Sequence, residues 1–285
     1  MAEILAAKPV VKEIFEEMAV ALADLNSEPV LELFLIGHDP AAEWYVNNLV
    51  KQGRKRGICI NLERFDVSIT QQLLLASIRK CNEDKTVSGI MLQKPLPAHI
   101  NEEEIIEAIN PGKDVDGFHP QNLGKLLLEQ DALLPCTPQA VLKILEYYQI
   151  ETTGKHIVIL GRSNIVGKPL ANLLLRKSAQ GNATVTVCHS RTHDIRKYCL
   201  EADIIIAAIG KAEFVKTDMV KKNAVIIDVG TNLIKDDNGL EKYVGDVDYK
   251  GVIEKVKAIS PVPGGVGSVT TALLLRNVVK AAKLC

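Results

Sequence analysis

Five short stretches of this 285-residue chain gather side chains that could do chemistry. "EWYVNNLVKQ" (residues 43–52) sets Tyr45 on an expected helix, and "LQKPLP" puts Gln93 and Lys94 at the end of an apolar run. "DVDGFHP" holds Asp116 in a loop dense in Gly, Pro and Asp. "GRSNIVGKP" begins at Gly161, and "PVPGGVGS" contains Pro263, Gly264 and Gly265. A phenol, an amine and a carboxylate are side-chain types that can move protons. The question is which ionisable group the Tyr45 helix could bring beside the phenol. One turn beyond Tyr45 stands Leu49, and the nearest cation is Lys51, six residues on. At ~100° per residue, position +4 lies ~40° from Tyr45 and position +6 lies ~120° away. Lys51 therefore points elsewhere and joins Arg54, Lys55 and Arg56 in a basic run at a solvated helix end.

The glycine turn points to a phosphate. In "IVILGRSNIVGKP", four apolar residues run into Gly161, a helix is expected to start by Ile165, and Gly167 falls in its first turn. Gly161 allows a sharp turn and Gly167 a close approach to the helix. Backbone N–H groups at a helix start, aided by the helix dipole, favour an anion there. The next strand, "TVTVCHSRT", ends in His189, Ser190, Arg191 and Thr192, with Arg162 in the glycine turn. An acidic residue at that strand end would suit the ribose 2′-OH of NAD. Cations and hydroxyls suit a 2′-phosphate instead, because Arg makes bidentate charge-assisted bonds to it. The expected cofactor is NADP rather than NAD. With dispersed His and Cys and no HExxH or CxxC, no metal is expected.

These residues need a scaffold that brings strand ends together. Apolar positions at helical spacing over residues 8–25 predict an amphipathic helix. Strands are expected at "PVLELFLIG", "CINLERF" and "VSGIMLQKPLP", alternating with helices at the Tyr45 segment, "TQQLLLASIRKCNED" and "NEEEIIEAI". The pattern restarts after "TPQAVLKILEYYQI", a helix expected to carry Thr137 as N-cap and Pro138 at its first position. Strands follow at "HIVIL", "TVTVCHS", "ADIIIAAIG" and "NAVIIDVG", and a last helix at "SVTTALLLRNVVKAAK". Such alternation predicts an α/β fold of parallel sheets covered by helices, with ligands beyond the C-terminal strand ends. The expected domains are residues 1–139 with the last helix, 269–285, and residues 140–268 between them.

With 47% hydrophobic and 24% charged residues the chain can build an ordinary core. A net charge of −1 supplies no field for nucleic acid or an anionic membrane, and neither partner is expected. No apolar run approaches the ~18 residues of a membrane span. Six scattered cysteines, Cys285 among them, read as unpaired thiols of a reducing, cytoplasmic protein.

Taken together, "LQKPLP", "KDVDGFHP", "PCTP", "GRSNIVGKP" and "PVPGGVGS" resemble the bifunctional methylenetetrahydrofolate dehydrogenase/cyclohydrolase family, FolD, over nearly the whole length and in order. The resemblance implies an N-terminal folate-binding domain joined by the last helix, a C-terminal Rossmann domain for NADP, a cleft between them, and a homodimer. It implies one-carbon chemistry in two steps, oxidation of 5,10-methylenetetrahydrofolate to the methenyl cation and hydrolysis of that cation to 10-formyltetrahydrofolate. Residue by residue, Tyr45 matches a tyrosine that packs on folate, Gln93 a glutamine beside the catalytic lysine, and Asp116 the aspartate that bonds the pterin. Pro263, Gly264 and Gly265 match a loop lining the cleft. Gly161, Arg162, Ser163, Ile165 and Ser190 match cofactor contacts, with Thr137 and Thr231 as further candidates.

The chain departs from the pattern at one place. The family lysine stands four residues after the tyrosine, where this chain has Leu49. Ala42, Lys94 and Ser268 replace the usual serine, leucine and proline, while the cofactor motifs stay intact. Lys94 is a candidate for the missing amine, although strand alternation would point it away from Gln93 unless Pro95 and Pro97 break the strand. Three readings remain open from sequence. The first is a dehydrogenase with weak or absent cyclohydrolase activity. The second is a bifunctional enzyme using Lys94 or a water. The third is a non-catalytic paralogue that binds dinucleotide or folate.

Overall fold

The alternation of apolar runs and amphipathic segments produces parallel strands separated by helices, each helix started by a local polar cap. The computed structural model describes residues 2–235 and 239–284; Cys285 lies outside them. The chain forms two units, residues 14–135 with 271–285, and residues 1–13 with 136–270. The first thirteen residues thus depart from the continuous N-terminal segment expected from sequence. They carry strand β1 (Glu3–Ile4) and the start of helix α1 (Ala7–Ala23).

The N-terminal unit is built on three parallel strands in the order β3-β2-β4: β2 (Val30–Ile36), β3 (Cys59–Phe65) and β4 (Gly89–Leu92). Helix α2 (Pro40–Arg54) starts where the Asp39 carboxylate accepts from the Ala42 N–H at 2.8 Å, with Pro40 at its first position. Its buried stripe is Ala42, Val46, Leu49 and Gly53, a helical period that turns Leu49 into the core. Helix α3 (Gln71–Glu83) is capped by Thr70 and buries Leu74, Ile78 and Cys81. Helix α4 (Glu102–Ala108) is capped by Asn101 and has three glutamates in its first turn, where the dipole favours them. Helix α5 (Pro120–Leu127), which sequence patterning did not single out, begins at the "HP" of the aspartate loop, with His119 Nδ1 accepting from Gln121 N–H.

The C-terminal unit opens with α6 (Cys136–Tyr147). Cys136 already belongs to the helix, so Thr137 and Pro138 lie inside its first turn and Thr137 is not the N-cap. A six-stranded parallel sheet follows in the order β1-β11-β8-β7-β5-β6. Its strands are β5 (His156–Leu160), β6 (Thr184–Cys188), β7 (Ile204–Ala207), β8 (Val225–Asp228), β11 (Ala258–Ile259) and β1. Helices α7 (Gly167–Leu175), α8 (Ile195–Glu201) and α9 (Tyr249–Val252) connect the strands, and β9 (Asn232–Lys235) and β10 (Glu241–Val244) form a separate antiparallel hairpin. Buried aliphatic residues such as Val158, Leu160, Ile205 and Ile226 fill one core here. The last helix, α10 (Val266–Ala282), enters the N-terminal unit from residue 271 onward. Among the described residues no helix is long and apolar enough to cross a membrane.

Candidate functional site

In the N-terminal unit, the aspartate loop is laid along β4. Ile90 and Asp114 form a parallel bridge, and Ile90 N–H bonds Lys113 O at 2.7 Å. Three neighbours hold this loop in shape. Buried Lys113 donates to the carbonyls of Cys81, Asn82 and Asp84 at 2.8, 2.9 and 2.6 Å, which satisfies the C-terminal end of α3. The buried Asp114 carboxylate accepts from Gly117 N–H, His119 N–H and Asn122 Nδ2 at 3.1, 2.7 and 3.1 Å. Asn277 of α10 donates to Val115 O at 2.8 Å and Leu134 O at 3.1 Å. Gly117 has φ +76°, and a Cβ there would sit 2.4 Å from the Leu134 carbonyl carbon, so only glycine fits this crossing.

Asp116 is the carboxylate that this loop presents. Burial pushes its carboxyl up to about 7, the charge of Asp114 adds to the rise, and the Lys94 ammonium opposes it. Lys94 therefore shares a cluster with Asp116, contrary to what a continued strand would give. β4 ends at Leu92, and alternation ends with it. The Lys94 amine bonds Glu102 at 2.7 Å and lies 4.5 Å from the centre of the Phe118 ring. Gln93 donates through Nε2 to Lys94 O at 2.9 Å, while its Oε1 is buried with no hydrogen-bond partner among the described residues. Tyr45 lies half-buried on α2, and Leu49, one turn on, is fully buried. Lys51 is exposed, as the helical wheel requires.

In the C-terminal unit, the glycine turn follows β5, whose neighbours are β6 on one side and β7 on the other. That is the point where strand order reverses, and where open parallel sheets receive ligands. Gly161 has φ +128°, and a Cβ on it would lie 2.1 Å from Ala208 O; one on Gly167 would lie 2.1 Å from Gly161 O. The helix starts at Gly167, two residues later than expected at Ile165. The reason is local: Ser163 Oγ accepts from Val166 N–H at 3.1 Å and holds residues 163–166 as a turn ahead of the helix. Arg162 and Ile165 are exposed on this turn, as is Ser190 at the end of β6. The β6 end is shaped by Thr192 Oγ1 accepting from His189 N–H at 2.9 Å and His189 Nδ1 from Arg191 N–H at 3.1 Å. The glycines leave backbone room and Arg162, Ser190 and Arg191 offer phosphate donors, a set that fits a 2′-phosphorylated dinucleotide.

The remaining predicted residues also fall in this unit. Pro263, Gly264 and Gly265 stand in the turn before α10, where Gly264 O accepts from Ala7 N–H at 2.8 Å. Thr270 Oγ1 donates to Thr137 Oγ1 at 3.4 Å, and Thr231 is exposed just before β9. Tyr45, Gln93, Lys94 and Asp116 thus belong to one unit, and the dinucleotide candidates with the Pro263–Gly265 turn to the other. Sequence reasoning missed Lys113, Asp114, Asn122 and Asn277, which hold the aspartate loop. The available signal was Asp114 itself, a carboxylate three and five residues before the N–H groups it accepts from. Among the described residues no group of three His, Cys, Asp or Glu could hold a metal ion. Burial pushes the Cys81 thiol up to about 11 and Cys199 up to about 12, which makes both poor nucleophiles.

Comparison with known proteins agrees with both halves. Residues 5–116 match the catalytic domain model of tetrahydrofolate dehydrogenase/cyclohydrolase, and residues 135–285 match its NAD(P)-binding domain model. The chain is 48% identical over 274 residues to the bifunctional protein FolD of Azobacteroides pseudotrichonymphae, covering 95% of this chain and 93% of that one. Its structure resembles the crystal structure of the FolD methylenetetrahydrofolate dehydrogenase/cyclohydrolase of Campylobacter jejuni, with TM-score 0.93, 43% identity and coverage of 100% and 99%. It also resembles the Trypanosoma brucei dehydrogenase-cyclohydrolase solved with NADP cofactor and inhibitor, with TM-score 0.90, 33% identity and coverage of 99% and 98%. With both domain models matched in order and near-full-length identity to FolD proteins, the chain belongs to the tetrahydrofolate dehydrogenase/cyclohydrolase family.

Proposed function

We propose that this protein oxidises 5,10-methylenetetrahydrofolate to 5,10-methenyltetrahydrofolate with NADP⁺, in cytoplasmic one-carbon metabolism, and has weak or no cyclohydrolase activity. One observation carries the reading. The dinucleotide turn and the aspartate loop are fully formed, yet Leu49, where the resemblance implies the family's lysine, is sealed in the core. NADP⁺ when bound supplies the hydride acceptor, so the first step asks the protein mainly for placement. Gly161, Gly167, Arg162, Ser163, Ile165 and Ser190 hold the dinucleotide, with Thr137 and Thr231 beside them. Tyr45 packs on the folate, Asp116 bonds its pterin edge, and the Pro263–Gly265 turn lines the site. The buried Oε1 of Gln93 has no hydrogen-bond partner among the described residues and remains free to accept.

The second step needs a group that takes a proton from water as it adds to the methenyl carbon. Leu49 cannot do this. Lys94 favours a second, bifunctional reading, because its amine shares a cluster with Asp116. That amine is already engaged by Glu102 and the Phe118 ring, however, and its charge opposes the rise at Asp116. Assembly as a homodimer is supported by β3, which stands at the sheet edge, and by Trp44, Val67 and Leu73 exposed in the same unit. The cytoplasmic placement is supported by thiols buried in both cores, which suit a reducing compartment.

The test is turnover of purified protein with 5,10-methylenetetrahydrofolate and NADP⁺. NADPH formation with a preference over NAD⁺ is expected. No reduced nucleotide with either cofactor would favour a non-catalytic binding protein.

A further inference from the structure

A second "DVD" stretch, Asp246–Asp248, lies after β10, and its first residue is wholly buried. The Asp246 carboxylate gathers four donors. Its Oδ2 accepts from Ile209 N–H at 2.7 Å and Gly210 N–H at 2.8 Å. Its Oδ1 accepts from Lys211 N–H at 3.0 Å and Asn232 Nδ2 at 2.9 Å. Three successive backbone N–H groups converging on one point, with Gly210 at φ +69°, make a nest that would bind an anion. Here the chain fills it with its own carboxylate.

Asp246 is in turn held in place. Buried Asp228, at the end of β8, accepts from Asp246 N–H at 2.9 Å, Val247 N–H at 3.0 Å and Gly230 N–H at 3.0 Å. Val215 and Val247 form a parallel bridge that fixes the segment from its other side. The loop after β7 and the loop after β8 are therefore tied to one buried group. Both lie at C-terminal strand ends of the sheet, β7 is the neighbour of β5 with its glycine turn, and Ala208 O, just after β7, is the atom that leaves no room for a side chain on Gly161.

We infer that Asp246 is a positioning residue of the dinucleotide site, whose carboxylate fixes the Ala208–Lys211 loop and the Thr231–Asn232 entry to β9 against each other. The inference rests on the reading that this unit binds NADP. It predicts a selective effect, because no residue of the Asp116 cluster takes part.

The test compares Asp246→Ala with the unaltered protein, by NADP⁺ titration and by separate KM values for NADP⁺ and for 5,10-methylenetetrahydrofolate. Loss of the carboxylate should raise the NADP⁺ Kd and KM by about tenfold or more, the effect of one strong contact. The folate KM should stay within about twofold. Added formate, a small carboxylate that can enter the emptied nest, should restore NADP⁺ affinity, and chloride at equal ionic strength should not. Asn232→Ala removes one donor of four and should raise the NADP⁺ KM severalfold; it serves where Asp246→Ala does not fold. An unchanged NADP⁺ KM in a folded variant, or equal rises in both KM values without formate rescue, overturns the inference. Unaltered protein that binds no dinucleotide overturns the underlying reading, and the inference with it.

Discussion

Replacing Leu49 with lysine tests the N-terminal unit most severely. Leu49 is fully buried in the stripe Ala42, Val46, Leu49 and Gly53. A lysine there keeps much of the apolar contact through its stem, but its ammonium loses water, which costs several kcal/mol before relaxation. If the amine reaches the Oε1 of Gln93, it recovers roughly 1–3 kcal/mol by meeting a buried acceptor that has no partner among the described residues. The net expectation is a loss of about 3 kcal/mol near neutral pH, or a fall in Tm of roughly 6–12 °C. Burial depresses the lysine pKa, so the folded state binds fewer protons than the unfolded state between the depressed value and about 10.4. Stability of the variant must then rise relative to the unaltered protein as pH rises through that window. Thermal melts across that window measure both effects, and decay of added methenyltetrahydrofolate measures hydrolysis. We expect a destabilised variant whose Tm deficit shrinks with pH and which hydrolyses the methenyl cation faster than the parent. A variant as stable as the parent, with no pH dependence, would show that position 49 is not sealed. A destabilised variant with unchanged hydrolysis would refute the proton role proposed for that position.

Other outcomes follow from the same geometry. Lys113→Met strips three carbonyls at the end of α3 of their donor and should cost about 3 kcal/mol, read as a lowered denaturation midpoint. Arg162→Ala combined with Ser190→Ala should weaken NADP⁺ binding by about tenfold to a hundredfold and NAD⁺ binding far less, as titration with each nucleotide would show. Asp116, raised to about 7, retains its proton in the folded state where the unfolded state has lost it, so it lowers stability as pH climbs from about 4 to 7. Relative to Asp116→Asn, the unaltered protein should lose on the order of 4 kcal/mol over that window and then level off, as denaturant melts at a series of pH values would reveal.

Long periodic segments were legible in the sequence. β2, β3 and β5–β8 fall where apolar runs predicted strands, and α2, α3 and α4 where the alternating segments predicted helices. The glycine turn was legible because the close approaches at Gly161 and Gly167 demand that residue type in any context. Pairings of two residues were not. β1 and β11 are too short to show a period, so the attachment of the first thirteen residues to the C-terminal sheet could not be seen. The start of α7 depends on one serine hydroxyl, and α6 begins at a cysteine that carries no capping signal. The place of Lys94 depends on where β4 stops, and the fit of Asp246 into three backbone N–H groups is a contact between distant segments. Sequence spacing does not encode either, since both are decided by packing of the finished fold.

The central claim is that hydride transfer persists without efficient hydrolysis. It is tested most directly by supplying 5,10-methylenetetrahydrofolate and NADP⁺ and following NADPH and the methenyl absorbance together. The account predicts that NADPH forms and the methenyl product accumulates, decaying no faster than in a protein-free control. Methenyl that disappears faster than the control as NADPH rises would contradict it, and Lys94 would then be the first residue to replace.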